Sequence, residues 1–241
     1  MSDTVREEPR LSAIVLGYRA EEALAAVVAA LTRELEALGE SFEIVLVVNY
    51  DADSDDRTPE IGERLSHEDA RVRFVARRKE GGMGWDVRSG LAAATGISLM
   101  VIDGDGQNSP RDLVRAYRLL AEGRCDVVKG RRVRRHDGLY RLVLSAAYNL
   151  AFAAVFGTWG LWDINGKPKG MTRAACERLN LRSDDWFLDA ELVLAARRER
   201  LRVVDIPAEF GPSTARPSFV RAGAILEFAR HMFNYRLRGR P

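Results

Sequence analysis

Residues 97–107 read Ile97-Ser98-Leu99-Met100-Val101-Ile102-Asp103-Gly104-Asp105-Gly106-Gln107, an apolar run that stops abruptly at two carboxylates and an amide. The uninterrupted run Leu99 to Ile102 suits a strand covered on both faces, as in a parallel sheet. The residues from Asp103 to Gln107 then fall at the strand's C-terminal edge, where open α/β sheets bind ligands. Asp103 and Asp105, one residue apart with glycine between, can turn toward one hard cation. Gln107 adds a neutral oxygen, and diphosphate oxygens and water complete an octahedral shell. Taken alone, such a pentapeptide is more often an ordinary Asp-Gly turn; the flanking sequence decides.

Working outward, strands and helices alternate. Ser12 to Gly17 reads as a strand, Glu21 to Leu38 as a helix stopped by Gly39, and Phe42 to Val48 as a second buried strand. A polar loop from Asn49 to Thr58 leads to Pro59 at a first helical position. Val72 to Ala76 is a third strand and Trp85 to Thr95 a helix. After the Asp103 strand come a helix from Pro110 to Glu122, with Ser109 as its expected cap, and a short strand from Asp126 to Lys129. This rhythm means crossover units and a mostly parallel sheet. Beyond Arg131 it breaks: long helical stretches (Tyr140 to Phe156, Trp186 to Arg198) flank a Gly/Pro-rich segment, Asn165 to Thr172, and Leu201 to Ile206 reads as a last strand. No internal repeat or linker divides the chain. The expectation is one domain over 1–241, with a ligand-binding half at about 11–130, a second half at about 131–218 and a basic amphipathic tail at 219–241.

Composition sets limits. At 46% hydrophobic and 30% charged residues the 241-residue chain is globular, and 37 basic against 35 acidic residues give a net charge of +2, no sign of a nucleic-acid partner. Charge is unevenly spread: acidic residues crowd 51–60, while Arg131, Arg132, Arg134, Arg135 and Arg141 cluster later. Cys125 and Cys176 are far apart, which fits a reducing compartment and no disulfide framework. No signal peptide is evident. Leu142 to Trp162 carries no charge, but its glycines suggest a helix of about four turns and then a loop, either buried or lying on a membrane surface, rather than a span.

In this order the motifs resemble family 2 glycosyltransferases of the GT-A fold, and within them the dolichyl- or polyprenyl-phosphate sugar transferases. The resemblance covers about residues 11–218. Val15 to Glu22 is similar to "V-I-P-x-Y-N-E-E". Val47 to Thr58 is similar to "V-D-D-x-S-x-D-x-T", matching at Ser54, Asp56 and Thr58. Gly82 to Leu91 resembles "G-x-G-x-A-x-R-x-G", Asp103 to Gln107 the metal-binding "D-x-D-x-Q", and Asp163 to Lys169 the "D-x-N-x-x-P-K" of one subgroup. The chain departs from the family at Gly17 (for Pro), Arg19-Ala20 (for Asn-Glu), Asn49 and Tyr50 (for the paired aspartates), Ser213 and Arg216.

The resemblance implies an α/β GT-A fold, Rossmann-like, with a mostly parallel sheet flanked by helices and a helical acceptor-side portion. It implies a nucleotide-sugar donor held by Gly17, Tyr18, Glu21, Asn49, Asp51, Asp56, Gly84, Arg88, Asp103 and Gly104, with Gly82 and Gly84 offering backbone amides to an anion. Mg²⁺ or Mn²⁺ would sit on Asp103, Asp105 and Gln107 and neutralise the leaving diphosphate. Arg131 and Arg141 form a cradle for an acceptor phosphate, and Lys169 approaches the leaving diphosphate. Asp105, Asp189 and Arg131 are the catalytic candidates, with Glu191 a second acid near the acceptor. A lipid-phosphate nucleophile is already ionised and needs no strong base; the rival, a soluble hydroxyl acceptor, requires one, with Asp189 first in line. A second rival is a degenerate, non-catalytic nucleotide-sugar binder. The lipid reading places the protein in the cytoplasm, peripheral on the membrane's cytoplasmic face, with its tail helix (Phe219 to Arg238) in the lipid interface. Oligomeric state is left open.

Overall fold

The computed structural model describes residues 8–52, 54–134, 139–158, 160–211, 232, 235 and 236, with the backbone alone at 134 and 139–144. The elements in order are β1 (Leu11–Leu16), α1 (Glu22–Glu36), β2 (Phe42–Val47), α2 (Thr58–Glu68), β3 (Val72–Val75), α3 (Met83–Ala93), β4 (Ser98–Asp103), α4 (Pro110–Ala121), β5 (Val127–Arg134), α5 (Leu139–Phe156), β6 (Lys169–Thr172), α6 (Arg173–Leu179), α7 (Leu188–Arg198) and β7 (Val203–Glu209). One seven-stranded sheet of order β3-β2-β1-β4-β6-β5-β7 runs through them. It is parallel except at β6, which pairs antiparallel with both β4 and β5.

Strand alternation builds the two cores. Leu11, Ala13 and Val15 of β1 face a layer holding Leu24, Leu31 and Leu35 of α1 and Leu113, Tyr117 and Leu120 of α4. Ile14 and Leu16 face the opposite layer, with Val87 of α3, Phe152 of α5 and much of α7. Both faces are therefore covered, as the continuous apolar runs require.

The segment expected as an irregular Gly/Pro-rich stretch holds β6, and α6 follows it directly with the Thr172 hydroxyl capping Ala175 N–H at 3.1 Å. Four residues containing a glycine give no periodic signal. The glycine has a reason: a Cβ on Gly170 would lie 2.1 Å from the Met100 sulfur of β4. The strand expected to end at Lys129 runs to Arg134 because β7 pairs along its whole length. Ser109 precedes α4 as expected, but its side chain makes no capping bond. Among the described residues no helix is long and apolar enough to cross a membrane, α5 included. Most of the tail lies outside the described residues. Met232 and Tyr235 pack on the chain's own core, with the Tyr235 ring 6.1 Å from Phe156 and 5.7 Å from Phe187.

Glu43 ties the far end of the sheet together. Its Oε1 accepts from the Ser12 hydroxyl (2.6 Å), Thr95 N–H (2.6 Å) and the Thr95 hydroxyl (2.9 Å), and Arg73 donates to Oε2 at 3.0 Å. Burial pushes this carboxyl up, but the bonds from Ser12, Thr95 and Arg73 outweigh it and hold the folded value below the ordinary carboxylate range. A lowered folded value means stability present above the unfolded pKa and lost as pH falls through the folded one. Glu43→Ala, which strands buried donors, is expected to cost about 3 kcal/mol in urea unfolding at neutral pH. The deficit should shrink on acidification.

Candidate active site

The C-terminal ends of β1, β2 and β4 face one edge. After β1, Arg19 and Glu21 adopt φ of 51° and 45°, the left-handed region that L-residues other than Asn and Asp avoid. Both are held by the start of α2 and the loop before it: Arg19 N–H donates to Asp56 Oδ2 at 3.2 Å and Glu21 N–H to Thr58 Oγ1 at 3.0 Å. Asp56 also accepts from the backbone N–H and the hydroxyl of Thr58. The matched Asp56 and Thr58 thus act by fixing a strained turn. That turn presents Tyr18, whose hydroxyl donates to Asp51 Oδ2 at 2.6 Å, and Arg19, which pairs with the same oxygen at 3.1 Å. Burial, then the bond to Asp51 and its charge, push the Tyr18 phenol up to about 12. The Lys79 ammonium lies 4.2 Å from the Tyr18 ring centroid.

Several expected nucleotide contacts have other partners here. Asn49 is 1% exposed; its Nδ2 donates to Asp86 Oδ1 at 2.8 Å and its Oδ1 accepts from Arg77 N–H at 3.0 Å. It fastens β2 to α3 and to the chain after β3, using an N–H donor that an ionised carboxylate lacks. Asp86, not singled out by the sequence, also pairs with Lys79. The amides of Gly82 and Gly84 do not offer themselves to an anion: they donate to the carbonyls of Asp184 (2.7 Å) and Asp185 (3.1 Å). A Cβ on Gly84 would meet the Ser183 and Asp185 carbonyl oxygens at 2.4 and 2.6 Å, so the glycine signal reports backbone packing. Arg88 binds the Arg182 carbonyl and Asp184 of the same segment. Gly17 and Gly104 donate to the carbonyls of Val47 and Leu16, both at 2.8 Å, prolonging the strand pairing.

The carboxylate pair stands at the end of β4. Asp105 Oδ1 accepts from Gln107 N–H at 3.0 Å, closing the turn, and the Gln107 side-chain amide donates to the Gly211 carbonyl at 3.1 Å. Burial first, and then the charge of Asp103, push the Asp105 carboxyl up. Asp103 Oδ1 accepts from Lys167 Nζ at 2.6 Å. A cation is thus already drawn to this pair, and two carboxylates with an amide oxygen are the hard donors that Mg²⁺ or Mn²⁺ take. Among the described residues no third His, Cys, Asp or Glu joins them, so diphosphate oxygens and water would supply the rest. The residues fit such an ion.

Lys169, expected near the leaving diphosphate, is buried against Asp189 beside the carboxylate pair: its Nζ is 2.5 Å from Asp189 Oδ1, with both side chains 3% exposed. Burial lowers the Lys169 ammonium to about 8, Asp189 opposes that shift and Lys167 adds to it. The lysine at the carboxylate pair is Lys167, two residues earlier. Sequence spacing does not separate the two, since only the path of the chain around Pro168 decides which one points at β4. Glu191 accepts from the N–H groups of Arg182 (3.1 Å) and Ser183 (2.8 Å), a structural clamp. Arg132 forks onto Asp163 at 2.7 and 2.5 Å and holds the loop before β6. Arg131 is exposed on β5. The backbone of Arg141 lies on α5, and its side chain is outside the described residues.

Comparison with known proteins now decides the family. The sequence model of glycosyl transferase family 2 matches residues 12–179. The chain belongs to that family. Among curated relatives, Glycosyltransferase AglD of Haloferax volcanii is 30% identical over 179 residues, covering 72% of this chain and 28% of that protein. The undecaprenyl-phosphate 4-deoxy-4-formamido-L-arabinose transferase of Yersinia pestis is 26% identical over 148 residues, 61% of this chain and 44% of the other. The chain therefore spans less than half the length of these relatives. Glucosyl-3-phosphoglycerate synthase of Mycobacterium tuberculosis, solved with Mn²⁺, UDP and phosphoglyceric acid, superposes with a TM-score of 0.72 at 18% identity, covering 97% of this chain and 80% of that one. The fold is GT-A, mixed α/β with a mostly parallel sheet, as the sequence led us to expect.

Proposed function

We propose that this family 2 member transfers a sugar from a nucleotide-sugar donor to a polyprenyl phosphate in one inverting displacement. Tyr18, Arg19 and Asp51 receive the nucleoside, and Asp103, Asp105 and Gln107 hold Mg²⁺ or Mn²⁺. Bound there, the ion supplies charge neutralisation to the departing diphosphate. An ionised phosphate oxygen of the acceptor attacks the anomeric carbon on the face opposite the diphosphate. The bond to the diphosphate breaks with its electron pair, and no proton has to move. Arg131 and Arg141 offset the repulsion between the two anions.

The observation that carries this reading is the state of Asp189. A hydroxyl acceptor needs a base, and the carboxylate first in line for it is buried and committed to Lys169. A phosphate acceptor needs none. The named undecaprenyl-phosphate relatives point the same way. The reading also places the protein against the cytoplasmic face of a membrane, where a lipid phosphate is met.

Two experiments test it. Thermal unfolding with Mn²⁺ and UDP, GDP, dTDP or CMP identifies the donor's nucleotide, since specific binding raises stability by mass action. Arg131→Ala and Arg141→Ala are then expected to raise the acceptor KM about tenfold each, the loss of one charge-assisted contact, with nucleotide affinity unchanged. Loss of nucleotide affinity with normal acceptor kinetics would assign the cradle to the other substrate.

A further inference from the structure

Three lysines are buried on the β5–β6 side of the carboxylate pair, and their bonding separates them. Lys129 donates to the Trp162 and Asp163 carbonyls (3.3 Å to the latter) and is ion-paired with Asp205 at 3.0 Å. Lys169 is ion-paired with Asp189 and also keeps N–H groups without an acceptor among the described residues, but its partner is not a carboxylate of the metal-site pair. Lys167, 7% exposed, has Asp103 as the one hydrogen-bond partner of its ammonium among the described residues. An ammonium carries three donors, and leaving donors unused in a buried place is costly.

The backbone beneath Lys167 is clamped. A Cβ on Gly130 would lie 2.4 Å from the Lys167 carbonyl oxygen, and one on Gly166 would lie 2.0 Å from the Gly130 carbonyl oxygen. Gly130 N–H donates to the Pro168 carbonyl at 2.7 Å, and Asn108 Nδ2 donates to the Lys167 carbonyl at 3.3 Å. Two glycines and two hydrogen bonds thus fix the stem of a side chain whose head rests on a metal-site carboxylate. A divalent cation on the carboxylate pair would share Asp103 with the ammonium that already rests on its Oδ1.

We propose that Lys167 is an exchangeable counter-ion of the carboxylate pair: it competes with the divalent cation for Asp103, and its spare N–H groups donate to the diphosphate of the incoming nucleotide. This rests on the reading of Asp103 and Asp105 as the metal site. In the metal-free chain the lysine keeps two neighbouring carboxylates from repelling each other. When Mn²⁺ or Mg²⁺ arrives with the donor, the ammonium passes from a carboxylate oxygen to a phosphate oxygen, so no charge is stranded at either stage.

The two halves predict opposite signs in one variant. Lys167→Met, with folding checked by circular dichroism, should bind Mn²⁺ alone about tenfold more tightly in calorimetry, because its competitor is gone. With Mn²⁺ saturating, the nucleoside diphosphate that binds the unaltered protein best should bind about tenfold more weakly. Lys167→Gln, which keeps one donor for Asp103 without the charge, should move both constants in the same directions and serves if the Met variant does not fold. Unchanged or weaker Mn²⁺ binding overturns the competition, and unchanged diphosphate binding overturns the handover. If the unaltered protein binds neither Mn²⁺ nor any nucleoside diphosphate, the metal-site reading falls and this inference with it.

Discussion

Turnover of Asp105→Ala is expected to fall at least about 100-fold, as for loss of a preorganised electrostatic group aimed at developing charge. Asp105 follows β4 in a turn closed by Gln107 N–H, outside both apolar clusters. The folded state should therefore survive, and its thermal midpoint should stay near that of the unaltered protein. Steady-state rates with Mn²⁺ and the nucleotide sugar identified by thermal unfolding provide the check. Metal-dependent turnover at the original rate in a folded Asp105→Ala protein would remove the carboxylate pair from the mechanism.

Asp189→Ala is expected to act on stability. It leaves the Lys169 ammonium buried without its partner, and breaking one side of a buried pair costs about 3–5 kcal/mol. Burial already lowers Lys169 to about 8, with Asp189 opposing that shift, so the variant's lysine loses its proton at still lower pH. The unfolded chain keeps the ordinary lysine value and binds more protons than the folded one above that point. Folded stability of the variant therefore rises with pH, and its deficit against the unaltered protein shrinks as pH rises toward about 8. Denaturant unfolding across that range reads it out. If Asp189→Asn keeps full stability and loses turnover with a normal nucleotide affinity, Asp189 is a base, and a soluble hydroxyl acceptor takes precedence.

Much of the architecture was legible because it rests on periodicity. The apolar runs Leu11–Leu16, Phe42–Val47 and Ser98–Asp103 are all parallel strands buried on both faces, and such runs need no partner to be recognised. β6 was not legible: four residues with Gly170 pressed on Met100 carry no pattern, since the close approach that demands glycine belongs to the sheet. At the site, the carboxylate turn and the Tyr18–Asp51 contact lie on one strand-end edge, as local motifs can indicate. The partners that reassign Asn49, Gly82, Gly84, Arg88 and Lys169 come from α3, the 182–185 segment and α7. Those contacts form only once the helices stack on the sheet. Motif spacing identifies that a glycine or lysine matters there without saying whether it meets a ligand or another part of the chain.

The most direct test of sugar transfer to a lipid phosphate is a partition assay. The protein, Mn²⁺, a radiolabelled nucleotide sugar of the identified base and undecaprenyl phosphate are combined in detergent micelles, and label entering the organic phase is counted beside released nucleoside diphosphate. We predict that label and diphosphate appear together, one for one, and only when the lipid phosphate is present. Diphosphate release that instead follows a water-soluble hydroxyl acceptor, with the organic phase unlabelled, would contradict the lipid-phosphate reading.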